Sequence, residues 1–301
     1  MFPSDGDDAA IRFACQKFAA SGRPLGALFA MHRNLNRLTS VVICELLTLG
    51  VAELNANPER YSGMLNYYLK EVFAYLRTAA DTEPALVAAC EFKYIEAFRF
   101  SRDELIIHRL LSKDPALFFE FITNVYRSKD QEEAEITQHQ QAIARASYSI
   151  LSTFVLLPGT QENDVDAGML ATWIVKVRRL ASDRGLLEIT DRQVGRLLAH
   201  APLDSNDNGW PHRAVRLAIE STQSTDAESA IEIERFNMRG AHTKSIEAGG
   251  VQERAFAETY RKWACQAAAT PRTSAMLHRI AKQWEAHAAY EDTWAEQQKM
   301  R

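Results

Sequence analysis

An all-α protein is what this 301-residue sequence predicts, built of irregularly stacked helical hairpins as an α-solenoid of HEAT or TPR kind, or as a helical bundle. Three observations predict it. No stretch sustains the alternation of apolar and polar residues that a half-buried strand needs, and no Asn-Gly or Asp-Gly turn separates two β-branched runs. Good N-cap side chains stand directly before a proline at Asn57-Pro58, Asp114-Pro115 and Thr270-Pro271, where the missing N–H of proline costs nothing. Apolar positions recur at intervals of three and four, as in Leu105, Ile106, Leu110 and Leu111, or Leu117, Phe118, Phe121, Ile122 and Val125.

In chain order, helices are expected near 8–20, 24–33, 38–54, 59–80 (after Asn57-Pro58) and 84–99. The next is expected at 102–112, opened by the capping box Ser101-Arg-Asp-Glu104, then one at 115–127 after Asp114-Pro115. Further helices are expected at 131–157 and 166–183, at 190–201 from the box Thr190-Asp-Arg-Gln193, and at 211–220. The last three are 226–238 from Thr225-Asp-Ala-Glu228, 250–268, and 271–299 after Thr270-Pro271. Short connectors imply antiparallel neighbours, while uneven start-to-start spacing argues against a strict thirty-four-residue repeat. The loop 201–209, carrying Pro202, Asp204, Asn206, Asp207 and Gly209, is the best boundary. It divides a hairpin array, 1–200, from a C-terminal helical subdomain, 201–301, packed on it, or it merely connects helices of one continuous domain.

The 47% apolar and 25% charged composition is that of a globular chain, and a formal charge of −4 gives a polyanion no bulk attraction, which disfavours nucleic acid as partner. Cys15, Cys44, Cys90 and Cys265 lie far apart with no C-x-x-C pair, and are expected as small core hydrophobes. The acidic start, Met1 to Asp8, does not fit a secretory signal, and the longest apolar-leaning run, Tyr148 to Leu157, is about half of the ~20 residues a membrane span requires. A reduced, cytoplasmic protein with no membrane contact is expected, and no motif sets an oligomeric state. The phosphate-binding loop, dinucleotide fingerprint, nucleophile elbow, zincin motif and paired Glu-x-x-His of di-iron bundles are all missing, so no cofactor and no metal are expected.

The densest polar segment runs from Glu234 to Lys244 and resumes at Gly249-Gly250-Val251-Gln252-Glu253-Arg254. One helix ends around Asn237 and the next begins near Gly250. Arg239, His242 and Lys244 would then lie beside backbone N–H groups at a helix start, an arrangement suited to an anion. Arg235, Asn237, Arg239, His242, Lys244, Gln252 and Arg254, with Trp210 and His212, are the candidate ligand- or partner-binding residues. The competing reading is that Arg235, Arg239, Glu253 and Arg254 form salt bridges and carbonyl bonds that hold an otherwise unsupported loop. On the first reading, replacing Arg239 and Lys244 by alanine should weaken an anionic partner without unfolding the chain. His287 and Glu291, at i and i+4, share a face of the last helix but fall short of a metal set by themselves.

Arg235-x6-His242 and Arg272-x5-His278 approximate the Arg/His pattern of HEPN ribonucleases, all-α enzymes in which that pair serves attack by an RNA 2′-hydroxyl. An RNA-cleaving enzyme is therefore the rival to a non-enzymatic module.

The segments Trp210-Pro211-His212-Arg213-Ala214-Val215-Arg216, Arg235-Phe236-Asn237-Met238-Arg239-Gly240, Gly249-Gly250-x-Gln252-Glu253-Arg254-Ala255 and Tyr260-Arg261-x-Trp263-Ala264 occur together. Upstream stand Asp114-Pro115-x-Leu117-Phe118-Phe119 and Leu156-Leu157-Pro158-Gly159-Thr160. This combination resembles the C-terminal helical region of large, poorly characterised bacterial multidomain proteins, over most of the chain. The resemblance implies a sensor, scaffold or protein-partner-binding role, of the kind used in multidomain defence systems. It carries no known activity with it.

Overall fold

A computed structural model of the chain describes residues 8–61, 63–98, 105–128, 135–162, 164–240 and 248–299. It is all-α, and the one sheet among the described residues is a two-stranded hairpin in which Thr160 pairs with Val165 and Gln161 with Asp164. Among the described residues no helix is long and apolar enough to cross a membrane. Contacts divide the chain into two units, residues 1–111 with 134–154, and residues 112–133 with 155–301. The division falls elsewhere than at 200/201. The loop 201–209 lies inside the second unit because the helix before it packs against the helix two places after it.

The first unit contains α1 (Asp8–Ala20), α2 (Pro24–Ala30), α3 (Ser40–Ala56), α4 (Leu65–Thr78), α5 (Pro84–Tyr94), most of α6 (Ile106–Lys113) and α8 (Gln138–Thr153). Its core gathers Leu25, Leu28, Ile43, Leu47, Leu69 and Phe73. The second unit contains α7 (Pro115–Val125), α9 (Ala167–Ser182), α10 (Leu187–Leu198), α11 (Arg213–Thr222), α12 (Thr225–Asn237), α13 (Val251–Gln266) and α14 (Pro271–Lys299). Here Phe118 packs on Trp173 with ring centroids 4.8 Å apart, and α13 and α14 form an antiparallel pair, the most extensive helix contact of the unit. At 29 residues α14 is about 44 Å long, and it receives α11, α12 and α13 along its length.

Helix ends depart from the sequence expectation in an instructive way. Asp114 does cap α7, accepting from Ala116 N and Leu117 N, but Thr190 is buried within α10, three residues past its start, and the cap of α12 is Ser224 instead of Thr225. Thr137 and Gln140 form a capping box at α8 that the expectation of a helix from 131 passed over. The Ser101 box lies outside the described residues.

Other helix starts are satisfied by carboxylates outside the first turn, on helices at Glu53, Glu91 and Glu220 and in loops at Asp81 and Asp204. Glu53 accepts from Leu25 N at 2.8 Å, Asp81 from Ser40 N at 2.8 Å, and Glu91 from Ile106 N and Ile107 N at 3.1 and 2.9 Å. In the second unit Asp204 accepts from Arg213 N at 2.8 Å, and Glu220 takes Arg272 N and Thr273 N at 3.2 and 2.8 Å. Thr270, the expected cap of α14, turns its hydroxyl to Ala267 O instead. Each such carboxylate meets both the orphan N–H groups and the positive end of the helix dipole. Glu91 is fully buried, and burial pushes its carboxyl above the usual carboxylate range despite those two N–H donors. Cys15, Cys44 and Cys90 are buried as expected, whereas Cys265 is exposed because it lies off the buried stripe of α13 formed by Ala257, Tyr260 and Ala264.

Candidate functional site

Of the sequence-predicted residues, Trp210, His212, Arg235, Asn237, Arg239, Gln252 and Arg254 are described, and they lie in the second unit around α11 to α14. Trp210 is buried, donates Nε1–H to Ala201 O at 3.0 Å, and meets Tyr260 and Trp263 edge-on or tilted. His212 caps α11, its Nδ1 accepting from Ala214 N at 3.2 Å, while its Nε2 lies 2.8 Å from Asp164 Oδ1. The loop before them is held by two aspartates. Asp207 is paired with Arg216 at 2.7 and 3.0 Å and accepts from Gly209 N at 2.8 Å, and Asp204 accepts from Asn206 N and Arg213 N. The Arg216 pairing holds the Asp207 carboxyl below its ordinary value, and the two backbone N–H bonds outweigh desolvation to do the same for Asp204.

Those shifts set a pH dependence. A carboxyl with a depressed folded-state pKa contributes stability that is complete above the unfolded value, about 3.9, and is lost as pH falls through the lower folded value. Acid titration of the wild type should therefore show a loss of stability below about pH 4, and the double substitution Asp204→Asn with Asp207→Asn should flatten that slope while lowering stability at neutral pH. Equal acid slopes for the two proteins would reject the assignment.

Arg235 lies flat over Trp210, 4.3 Å from the ring centroid, donates Nε–H to Tyr260 Oη at 2.9 Å and reaches Ala199 O at 3.4 Å. Its guanidinium is part of an aromatic stack. Arg239 pairs with Glu253 at 2.7 Å, donates to Gln252 Oε1 at 3.1 Å, and stands over Phe256 and Trp284 at 5.4 and 5.3 Å. Arg254 clasps Asp292 at 2.6 and 3.2 Å, and Asp292 Oδ1 also accepts from Gly250 N at 2.8 Å. The place an anion would take at the start of α13 is thus filled by the chain's own carboxylate. Gly250 is required there, since a Cβ would run into the Ala288 carbonyl of α14. His242 and Lys244 lie outside the described residues.

Asn237, the last residue of α12, borders a groove between α12 and α14 of about 500 Å³. Ile233, Phe236, Gln283, His287 and Tyr290 line it with Asn237. Phe236 stacks on Trp284 at 4.6 Å, and His287 sits edge-on to Phe236 and Trp284 and tilted to Tyr290. Behind His287, Glu253 of α13 and Glu291 of α14 each bring a carboxylate oxygen to 3.9 Å from Nδ1. The i, i+4 pair was visible in the sequence, while the third member comes from another helix.

Of the two Arg/His pairs only Arg272 and His278 lie wholly among the described residues, and they are not brought together. Arg272 pairs with Glu228 at 2.6 Å, and His278 lies six residues further on, roughly 240° around the helix, on an exposed face. The partner of Arg235 in the other pair, His242, is not described. Compared with known proteins, the chain matches no family model, no curated protein and no solved structure.

Proposed function

We propose that the chain is a non-enzymatic helical interaction module, working in a reducing intracellular compartment, that takes a helical segment of a partner protein in the groove between α12 and α14. The observation that carries the reading is the groove's floor and rim. Ile233 and Tyr290 are 62% and 65% exposed on either side of Phe236, although apolar side chains of that size normally find cover. Asn237 and Gln283 supply amides at its edges, so the fitting occupant is an amphipathic helix that buries one or two large apolar side chains and presents polar groups to the rim. The rigid base favours such a role: Trp284 below the groove is buried, and Arg279 ties α14 to α12 through Glu228 and Glu232, each at 2.7 Å. Free buried thiols at Cys15, Cys44 and Cys90 support the reducing compartment.

A photocrosslinking residue placed at 233 or 290 in the native cell tests this, with position 175, on the exposed face of α9 and 67% exposed as valine, as control. A discrete adduct at the groove positions that is lost on adding Phe236→Asp is expected. Equal labelling at 175, or an adduct with a second copy of the chain, would overturn the proposal.

A further inference from the structure

We infer that Glu253, His287 and Glu291 form a binding site for one divalent transition-metal ion. One ligand atom from each residue lies within 4.8 Å of the others, and His287 Nδ1 is 3.9 Å from an oxygen of each glutamate. A tetrahedral ion with bonds of about 2.0–2.2 Å holds its ligand atoms about 3.4 Å apart, so closing the site asks each side chain to move by roughly half an ångström. His287 Nδ1 is buried and makes no hydrogen bond among the described residues, and it lies 3.9 Å from a carboxylate oxygen of each glutamate. The ring is fixed in that orientation by Phe236, Trp284 and Tyr290.

The surroundings match what such sites use. Ligands drawn from facing helices at i, i+4 and from a neighbour are how helical bundles hold metals. Arg239 pairs at 2.7 Å with Glu253 Oε1, the same oxygen that stands 3.9 Å from His287 Nδ1, and so orients the carboxylate. The graded exposure of 0% at Glu253, 16% at Glu291 and 32% at His287 gives a closed inner side and an entrance from solvent. One imidazole and two carboxylates suit Zn²⁺ or Mn²⁺ better than the soft ions that need thiolate, and three protein ligands leave a position for water.

Zn²⁺ is the probe. Titration of the chelator-treated full chain against a chromogenic competitor should give one ion per chain with a Kd on the order of micromolar. His287→Gln and Glu291→Gln should each weaken binding at least tenfold, with circular dichroism of the metal-free variants matching the wild type. Loading the wild type with Co²⁺ gives a second readout that needs no variant. Weak visible bands without a thiolate charge-transfer band are expected, and an intense ultraviolet thiolate band would place the ion on a cysteine such as Cys265 and overturn the site. So would a stoichiometry of zero, or binding that survives the double substitution. Because metal is measured on the isolated chain, failure here leaves the groove proposal standing, and the converse holds.

Discussion

Replacing Arg239 by alanine is expected to destabilise the second unit by about 3–5 kcal/mol, the magnitude for breaking a buried ion pair from one side. Glu253 is fully buried and the Arg239 side chain is 9% exposed, so the substitution removes a guanidinium that offsets the carboxylate's desolvation. The same substitution removes a cation from the faces of Phe256 and Trp284. Two companions separate the causes. Arg239→Met keeps the aliphatic contact with both rings and loses the charge, so it should recover only a small part of the loss. Arg239→Met combined with Glu253→Leu removes both charges and should be more stable than either single variant that leaves one of them behind. The measurement is denaturant unfolding at pH 7. A loss under 1 kcal/mol would show that the pair does not stabilise the unit. The exposed Arg254 to Asp292 pair is the contrast, and Arg254→Ala should cost far less.

How much of this was legible depended on how local the cause is. Helix 271–299 was readable to the residue because Pro271 and an uninterrupted pattern define it, yet its actual cap is Glu220, fifty residues upstream. A capping box spans four residues and can be recognised in a string. A carboxylate at Glu53, Glu91 or Asp81 that serves a helix in another part of the chain cannot, because nothing near it marks the target. Thr190 misled for the complementary reason, since its spacing to Gln193 satisfies the pattern while tertiary packing carries α10 back to Leu187. At the candidate site the reading of Arg235, Arg239, Glu253 and Arg254 as salt bridges and carbonyl bonds was one of two alternatives; Arg239 and Arg254 do form ion pairs, while Arg235 reaches the Ala199 carbonyl and Tyr260. Sequence could not reach the meeting of Glu253 with His287 and Glu291. That depends on the close approach of α13 and α14 at Gly250, which a single chain pattern does not encode.

The second large effect lies at such a close approach, between α10 and α12. Gly195→Ala is expected to destabilise the second unit by about 3 kcal/mol, although alanine is intrinsically better than glycine inside a helix by about 1 kcal/mol. An added Cβ would stand 2.8 Å from the carbonyl carbon and Cα of Ala227, and nearer still to its oxygen. All three are backbone atoms of α12, so no rotamer change relieves the contact and the two helices must part. Parting them opens the core around Val194, Leu198 and Ile231 and stretches the link from His200 to Glu234, 3.0 Å at present. Gly168, on the first turn of α9, is the control because its nearest neighbour is Asp166 Oδ1 at 3.3 Å. Gly168→Ala should be neutral or slightly stabilising. In thermal melts the Gly195 variant should unfold roughly 6–12 °C earlier than wild type. If both alanine variants melt with or above the wild type, propensity outweighs the clash and α10 and α12 do not pack as closely as described.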